Sequence, residues 1–82
     1  MIRVKKINEL EFKADVNGMD FNVSLDQGYY EKLTSGKIGK EELIKRSFEF
    51  LLEREPKESI LKNFNLKVIQ RYFPEYEKTL KV

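Results

Sequence analysis

The sequence predicts an α+β fold in which an N-terminal antiparallel β-hairpin packs on a central helix that is followed by several short helices. Apolar residues alternate with polar ones around an Asn-Gly pair, and they recur at helical spacing over residues 40–54. Two prolines, Pro56 and Pro74, then divide the rest of the chain. Because 82 residues leave room for one hydrophobic core, we expect residues 1–82 to form a single domain.

The hairpin is predicted by Asn17-Gly18, since Asn-Gly accepts the positive φ values that a type I′ turn requires. Apolar residues occupy every second position on both sides of the turn: Leu10, Phe12, Ala14 and Val16 before it, and Met19, Phe21, Val23 and Leu25 after it. This period of two indicates two strands with one buried face and one solvent-exposed face. Ile2 and Val4 can add a third strand, although residues 5–8 are equally compatible with a loop.

Two helices are predicted after the hairpin. Asp26 is a favourable N-cap residue for a short helix over residues 27–34, and Gly36 provides the left-handed conformation that ends it. The central helix over residues 40–54 spreads its apolar side chains over a wide arc. We therefore expect this helix to contact more than one neighbour.

The C-terminal third is predicted to contain short helices separated by its prolines. Pro56 suits the first turn of a new helix, predicted over residues 57–63. A further helix is predicted over residues 66–73, and Pro74 ends it because the residue before a proline disfavours the helical conformation. A last helical turn starts from Glu75.

The composition argues against an enzyme. The chain has no histidine and no cysteine, so the most common general base, the usual zinc ligands and the serine or cysteine triads are all missing. We predict no catalytic residue, no cofactor and no metal site. Since no apolar run could span a bilayer and the basic start MIRVKK lacks the apolar core of a signal peptide, we also expect a cytoplasmic protein.

The segment VIQRYFPEY, residues 68–76, has two interpretations. Its aromatic side chains can close over a small core, with the tyrosine hydroxyls reaching water. Alternatively, Arg71, Tyr72 and Tyr76 form a partly exposed patch that docks a partner, because tyrosine and arginine are enriched at interface hot spots. The second interpretation predicts a non-enzymatic binding or accessory protein that acts through a protein partner or by self-association.

The chain resembles a family of small uncharacterised prokaryotic proteins over most of its length after the hairpin turn. The resemblance rests on VSLDQGYYEKLTSGKIGKEELIKRSFEFLLEREPKESIL, residues 23–61, and on the ending ESILKNFNLKVIQRYFPEY, residues 58–76. The family has a strand, two helices and a similar proline-containing ending. It implies a single domain and carries no activity with it.

The segment FNVSLDQGYYEKLTSGKIGKEELIKRSFEFLLER, residues 21–54, resembles ribbon-helix-helix repressors in the order and apolar spacing of its elements. That family implies DNA binding through a β-ribbon shared by two chains. Carried over by position, the base-reading residues would be Asp20, Asn22 and Ser24, and Lys40 would meet phosphate near the start of the helix. The Asn-Gly turn predicts instead that the same strand pairs within its own chain, so the two interpretations make opposite predictions for this strand.

Overall fold

The structure, a computed structural model, describes all 82 residues and confirms the α+β fold. The strands are β1 (Ile2–Lys6), β2 (Glu11–Val16), β3 (Met19–Ser24) and β4 (Asn63–Asn65). The α-helices are α1 (Gln27–Thr34), α2 (Lys40–Leu52), α3 (Ile69–Tyr72) and α4 (Tyr76–Leu80), and two short 3₁₀ helices span Lys57–Ser59 and Leu66–Val68. The four strands form one sheet in the order β1-β2-β3-β4.

The predicted hairpin is confirmed as the antiparallel pair of β2 and β3, in which Val16 lies opposite Met19. Asn17 and Gly18 have φ values of 51° and 89°, the positive values that a type I′ turn requires at both central residues. The Asp15 carboxylate accepts a hydrogen bond of 2.9 Å from the Gly18 amide and stabilises the turn. Local sequence alone therefore specifies this part of the fold.

The optional third strand is present as β1, which pairs antiparallel with β2. Strand β1 includes Lys5 and Lys6, two residues of the segment that was equally compatible with a loop. The connection to β2 is closed by Asn8, whose side-chain oxygen accepts hydrogen bonds from the amides of Leu10 and Glu11. Leu10 thus belongs to the turn and is half exposed, so its predicted place in the buried alternation is wrong.

A fourth strand was not predicted. Helix was expected over residues 57–63, but only the 3₁₀ helix at its start forms, and the chain then extends into β4. This strand pairs parallel with β3, and the Asn22 amide donates a 2.7 Å hydrogen bond to the Lys62 carbonyl beside it. A strand of three residues is too short to show an alternating pattern, and its position depends on a partner about forty residues away.

The core lies between the inner face of the sheet and α2. Phe48 of α2 packs between Phe21 of β3 and Phe64 of β4, with ring centroids 5.2 and 6.0 Å away. The opposite face of the hairpin is mainly exposed, as its alternating pattern predicted. Helix α2 also contacts α1 and α4, so the expectation of several neighbours for the central helix is confirmed.

The helix ends follow the predictions in part, and the Asp26 side chain at the start of α1 makes no capping hydrogen bond. Helix α1 has the predicted bounds, and the left-handed conformation that ends it begins one residue earlier than predicted, at Ser35, and continues at Gly36. Helix α2 ends at Leu52, two residues earlier than predicted, and the Arg54 guanidinium donates to the Phe50 carbonyl just beyond its last turn. None of the helices combines the length and the apolar character needed to cross a membrane.

Candidate docking groove

An apolar groove of about 350 Å³ opens where the C-terminal end of α2 meets the segment from Ser59 to Phe73. Eight of its ten lining residues are hydrophobic. They are Leu51, Ile60, Leu61, Phe64, Val68, Ile69, Tyr72 and Phe73. A concave and mainly apolar surface of this size can accept a side chain or a short segment from another molecule.

The floor and the rim of the groove come from the same two short segments. Ile60 and Ile69 are buried and form its floor. Backbone at Ile60 is extended, and successive side chains in an extended chain point to opposite sides, so Leu61 turns outward. Tyr72 follows Ile69 by three residues on α3 and therefore lies on the same helix face, at the end of the helix.

The rim consists of large apolar side chains that the fold leaves uncovered. Leu61 is 52% exposed and Tyr72 is 66% exposed. Although single exposed apolar residues are common in globular proteins, these two border one groove whose floor is already apolar. Their side chains can therefore gain contact area when a partner covers the groove.

Glu55 is the only charged residue that lines the groove. It is half-buried and forms no ion pair. The neighbouring Arg54 does not neutralise it, because Arg54 pairs with Glu75 at 3.0 Å and with Glu53 at 3.3 Å, and its guanidinium lies 3.6 Å from the Phe50 ring centroid. An unpaired carboxylate beside an apolar groove favours a cation on the bound molecule.

Of the three residues predicted to dock a partner, the structure places only Tyr72 in the groove. Arg71 is exposed next to it and makes no ion pair, but it does not line the groove. Tyr76 is fully buried, so its predicted position in an exposed patch is wrong. Pro74 turns the chain between the two tyrosines, and Tyr76 then starts α4 with its side chain directed into the core.

Tyr76 is held in the core by packing and by a hydrogen bond. Its ring lies edge-on to Phe50 with centroids 5.3 Å apart, and its hydroxyl is 2.7 Å from the Ser47 hydroxyl. Because Ser47 already donates its proton to the Leu43 carbonyl at 2.8 Å, the tyrosine hydroxyl is the donor of this pair. Burial raises the pKa of Tyr76.

A second tyrosine ties α4 to α1. The Tyr29 hydroxyl donates a 3.0 Å hydrogen bond to the Glu77 carboxylate, which also pairs with Lys32 at 3.2 Å. Burial, and then the hydrogen bond to Glu77, raise the pKa of Tyr29. Both tyrosines therefore hold α4 against the rest of the fold, and neither of them lines the groove.

Two of the residues carried over from ribbon-helix-helix proteins share the outer face of one strand. Asn22 and Ser24 lie in β3, and the side-chain NH₂ group of Asn22 donates a 3.0 Å hydrogen bond to the side-chain oxygen of Asn63 in β4. Because β3 has β2 on one side and β4 on the other, it has no free edge for a ribbon shared with a second chain. That arrangement is therefore not the one this chain adopts, while DNA binding itself stays a prediction.

Lys40 makes several contacts within the fold. Its side chain is only 13% exposed, and its ammonium group donates a 3.0 Å hydrogen bond to the Glu9 carbonyl in the turn between β1 and β2. The same group lies 5.6 Å from the centroid of the Tyr30 ring. These contacts hold the ammonium group within the fold, and the phosphate contact of Lys40 stays a prediction.

Replacing Lys40 with alanine is expected to lower the free energy of unfolding by about 1–2 kcal/mol, through loss of a charge-assisted hydrogen bond and of the contact with Tyr30. Lys45 on the same helix is exposed and unpaired, so Lys45→Ala is the matched control and should change stability by less than about 0.5 kcal/mol. Urea denaturation of the three proteins measures the difference. Equal stabilities of the two variants would contradict this role for Lys40.

Comparisons with protein-family models, with curated proteins and with solved structures found no significant match for this chain. The resemblance to small prokaryotic proteins with the RYFPEY-like ending therefore stays a prediction. No group of three or more histidine, cysteine, aspartate or glutamate side chains is arranged to hold a metal ion. The groove thus remains the main basis for a functional hypothesis.

Proposed function

We propose that this protein is a non-enzymatic binding module that captures a short segment of a protein partner in the apolar groove. The observation that carries the proposal is the pair of exposed side chains, Leu61 and Tyr72, on the rim of a groove whose floor is buried and apolar. Tyrosine is enriched among the residues that supply most of the binding energy of an interface, and an exposed leucine contributes when a partner removes its apolar surface from water. Arg71 lies next to this surface and can add a polar contact at its edge.

The partner segment is expected to present an apolar side chain next to a lysine or an arginine. The apolar side chain would fill the space between Leu61 and Tyr72 and remove their exposed surface from water. The cation would lie near Glu55, which has no partner within the chain. An amphipathic helix with a basic flank has this combination and is a common ligand of apolar grooves.

The test is selection of binding segments from a displayed library of random peptides, followed by affinity measurements with labelled synthetic peptides. Leu61→Ala and Tyr72→Ala should each weaken binding by about tenfold or more. Because both side chains are more than half exposed, each variant should change the free energy of unfolding by less than about 0.5 kcal/mol. Glu55→Gln should relax the preference for lysine and arginine in the selected peptides.

Leu10→Ala is the matched control, since Leu10 is 49% exposed but does not line the groove. Peptides that bind all three alanine variants as tightly as the unchanged protein would rule out the groove as the binding site. Light scattering over a concentration series examines self-association: a dimer that Leu61→Ala dissociates and Leu10→Ala does not would identify a second copy as the occupant, in place of a different protein.

A further inference from the structure

Strand β1 is an edge strand of the sheet. One of its sides pairs with β2, and the other side has no strand next to it. The opposite edge is β4, which has only three residues, whereas β1 has five. An unpaired edge presents a row of backbone N–H and C=O groups that can bind another extended chain.

The hydrogen bonds at the ends of β1 show which backbone groups are free. The Asn17 amide donates to the Met1 carbonyl at 3.1 Å, and the Ile7 amide donates to the Glu11 carbonyl at 2.9 Å. Because bonded and non-bonded pairs alternate along an antiparallel ladder, the odd-numbered residues of β1 face β2 and the even-numbered ones face outward. The three residues with outward backbone groups are Ile2, Val4 and Lys6.

The side chains at this edge carry unpaired positive charge. Arg3 lies opposite Asp15, but Asp15 accepts a hydrogen bond from the Gly18 amide and forms no ion pair with Arg3. Lys5 lies directly opposite Lys13, and like charges at such positions repel each other. Arg3 and Lys5 are both exposed and have no acidic partner within the chain.

We infer that the free edge of β1 is a second binding site, which takes an extended acidic segment of a protein partner as an added strand. An added strand would bond to the outward backbone groups and place its own side chains beside Arg3 and Lys5. When the added strand runs antiparallel to β1, the two cations occupy the non-hydrogen-bonded positions, where opposing Cα atoms approach to about 4.5 Å. Glutamate or aspartate at every second position therefore matches the edge, with an apolar residue between them next to the half-buried Val4.

A second copy of this chain does not fit the same edge. Antiparallel pairing of two β1 strands about Val4 would place Arg3 of each copy opposite Lys5 of the other. Both close pairs would then join like charges, which destabilises the pairing. The charge pattern thus selects against self-association at β1 and in favour of an acidic partner.

The experiment titrates the protein with a short blocked peptide that alternates glutamate and valine, and follows backbone amide signals by NMR. We expect saturable shifts centred on β1. Val4→Pro removes an outward N–H without removing a bond to β2, so it should weaken binding by about tenfold or more. Val4→Thr keeps both the amide and the branched shape, and it serves as the matched control.

Charge reversal completes the test. The double variant that combines Arg3→Glu with Lys5→Glu should no longer bind the acidic peptide. It should bind the corresponding peptide of alternating lysine and valine. Binding that is equal in Val4→Pro and Val4→Thr would show charge attraction without strand addition and would overturn the inference, as would absence of binding or shifts confined to the groove. Thermal unfolding of each variant confirms that loss of binding is not loss of folding.

Discussion

Replacing Tyr76 with alanine is expected to leave a large fraction of the protein unfolded. The side chain is completely buried and packs edge-on against Phe50. Truncation of a large buried aromatic residue costs about 3–5 kcal/mol, because it removes apolar contacts and leaves a cavity. Since a small domain is stable by only about 5–15 kcal/mol, and a chain of this length belongs near the low end, this single change removes most of the stability.

Two variants separate packing from hydrogen bonding. Tyr76→Phe keeps the ring and removes only the hydroxyl, and Ser47 can still donate to the Leu43 carbonyl, so the expected cost is about 1 kcal/mol. Tyr72→Ala removes an exposed ring and should cost less than about 0.5 kcal/mol. Urea denaturation of Tyr76→Ala, Tyr76→Phe and Tyr72→Ala measures the free energy of unfolding of each variant. If Tyr76→Ala were as stable as Tyr72→Ala, the assignment of Tyr76 to the core would be refuted.

The contrast between these tyrosines shows how far the sequence could predict the site. Tyr72 and Tyr76 are four residues apart and both flank Pro74, so either could have been the exposed one. Pro74 follows the end of α3, and the chain changes direction there before α4 begins. The direction of α4 depends on the space that is available beside α2. Residue type and spacing contain no information about that space.

The fold was predictable where its causes are local. The Asn17-Gly18 turn, the alternation of β2 and β3 and the bounds of α1 follow from residues close together in the chain. Strand β4 was missed because it forms only against β3, which is distant in sequence. The groove was missed for the same reason, since its floor and rim come from α2, the extended segment after Pro56 and α3.

Lys40 illustrates a different limit. Its position at the start of a helix suited a phosphate contact as well as it suited a structural role. The structural contact of Lys40 is provided by the turn between β1 and β2, which brings the Glu9 carbonyl within 3.0 Å of the ammonium group. A cation at a helix start therefore could not be assigned from the helix alone, because its partner lies thirty-one residues earlier in the chain.

Stability is expected to fall steeply above about pH 10, the ordinary pKa of tyrosine. The pKa values of Tyr76 and Tyr29 are raised in the folded state, chiefly by burial. Above the ordinary pKa the unfolded chain loses these protons while the folded chain keeps them, so the folded state binds more protons and its stability decreases as pH rises. The contribution of these tyrosines is thus fully present below pH 10 and declines through the alkaline range.

Tyr76 alone should account for a loss of about 1.4 kcal/mol per pH unit above that point, because its ring is fully buried. Urea denaturation at a series of alkaline pH values measures the slope, and tyrosinate absorbance shows whether ionisation coincides with unfolding. Tyr76→Phe should flatten the slope of unfolding free energy against pH, even though it lowers stability at neutral pH. The double variant that combines Tyr76→Phe with Tyr29→Phe should flatten this slope further. Lysine deprotonation acts equally in all of these proteins, so an unchanged slope in the double variant would show that the phenols of Tyr76 and Tyr29 do not control alkaline unfolding.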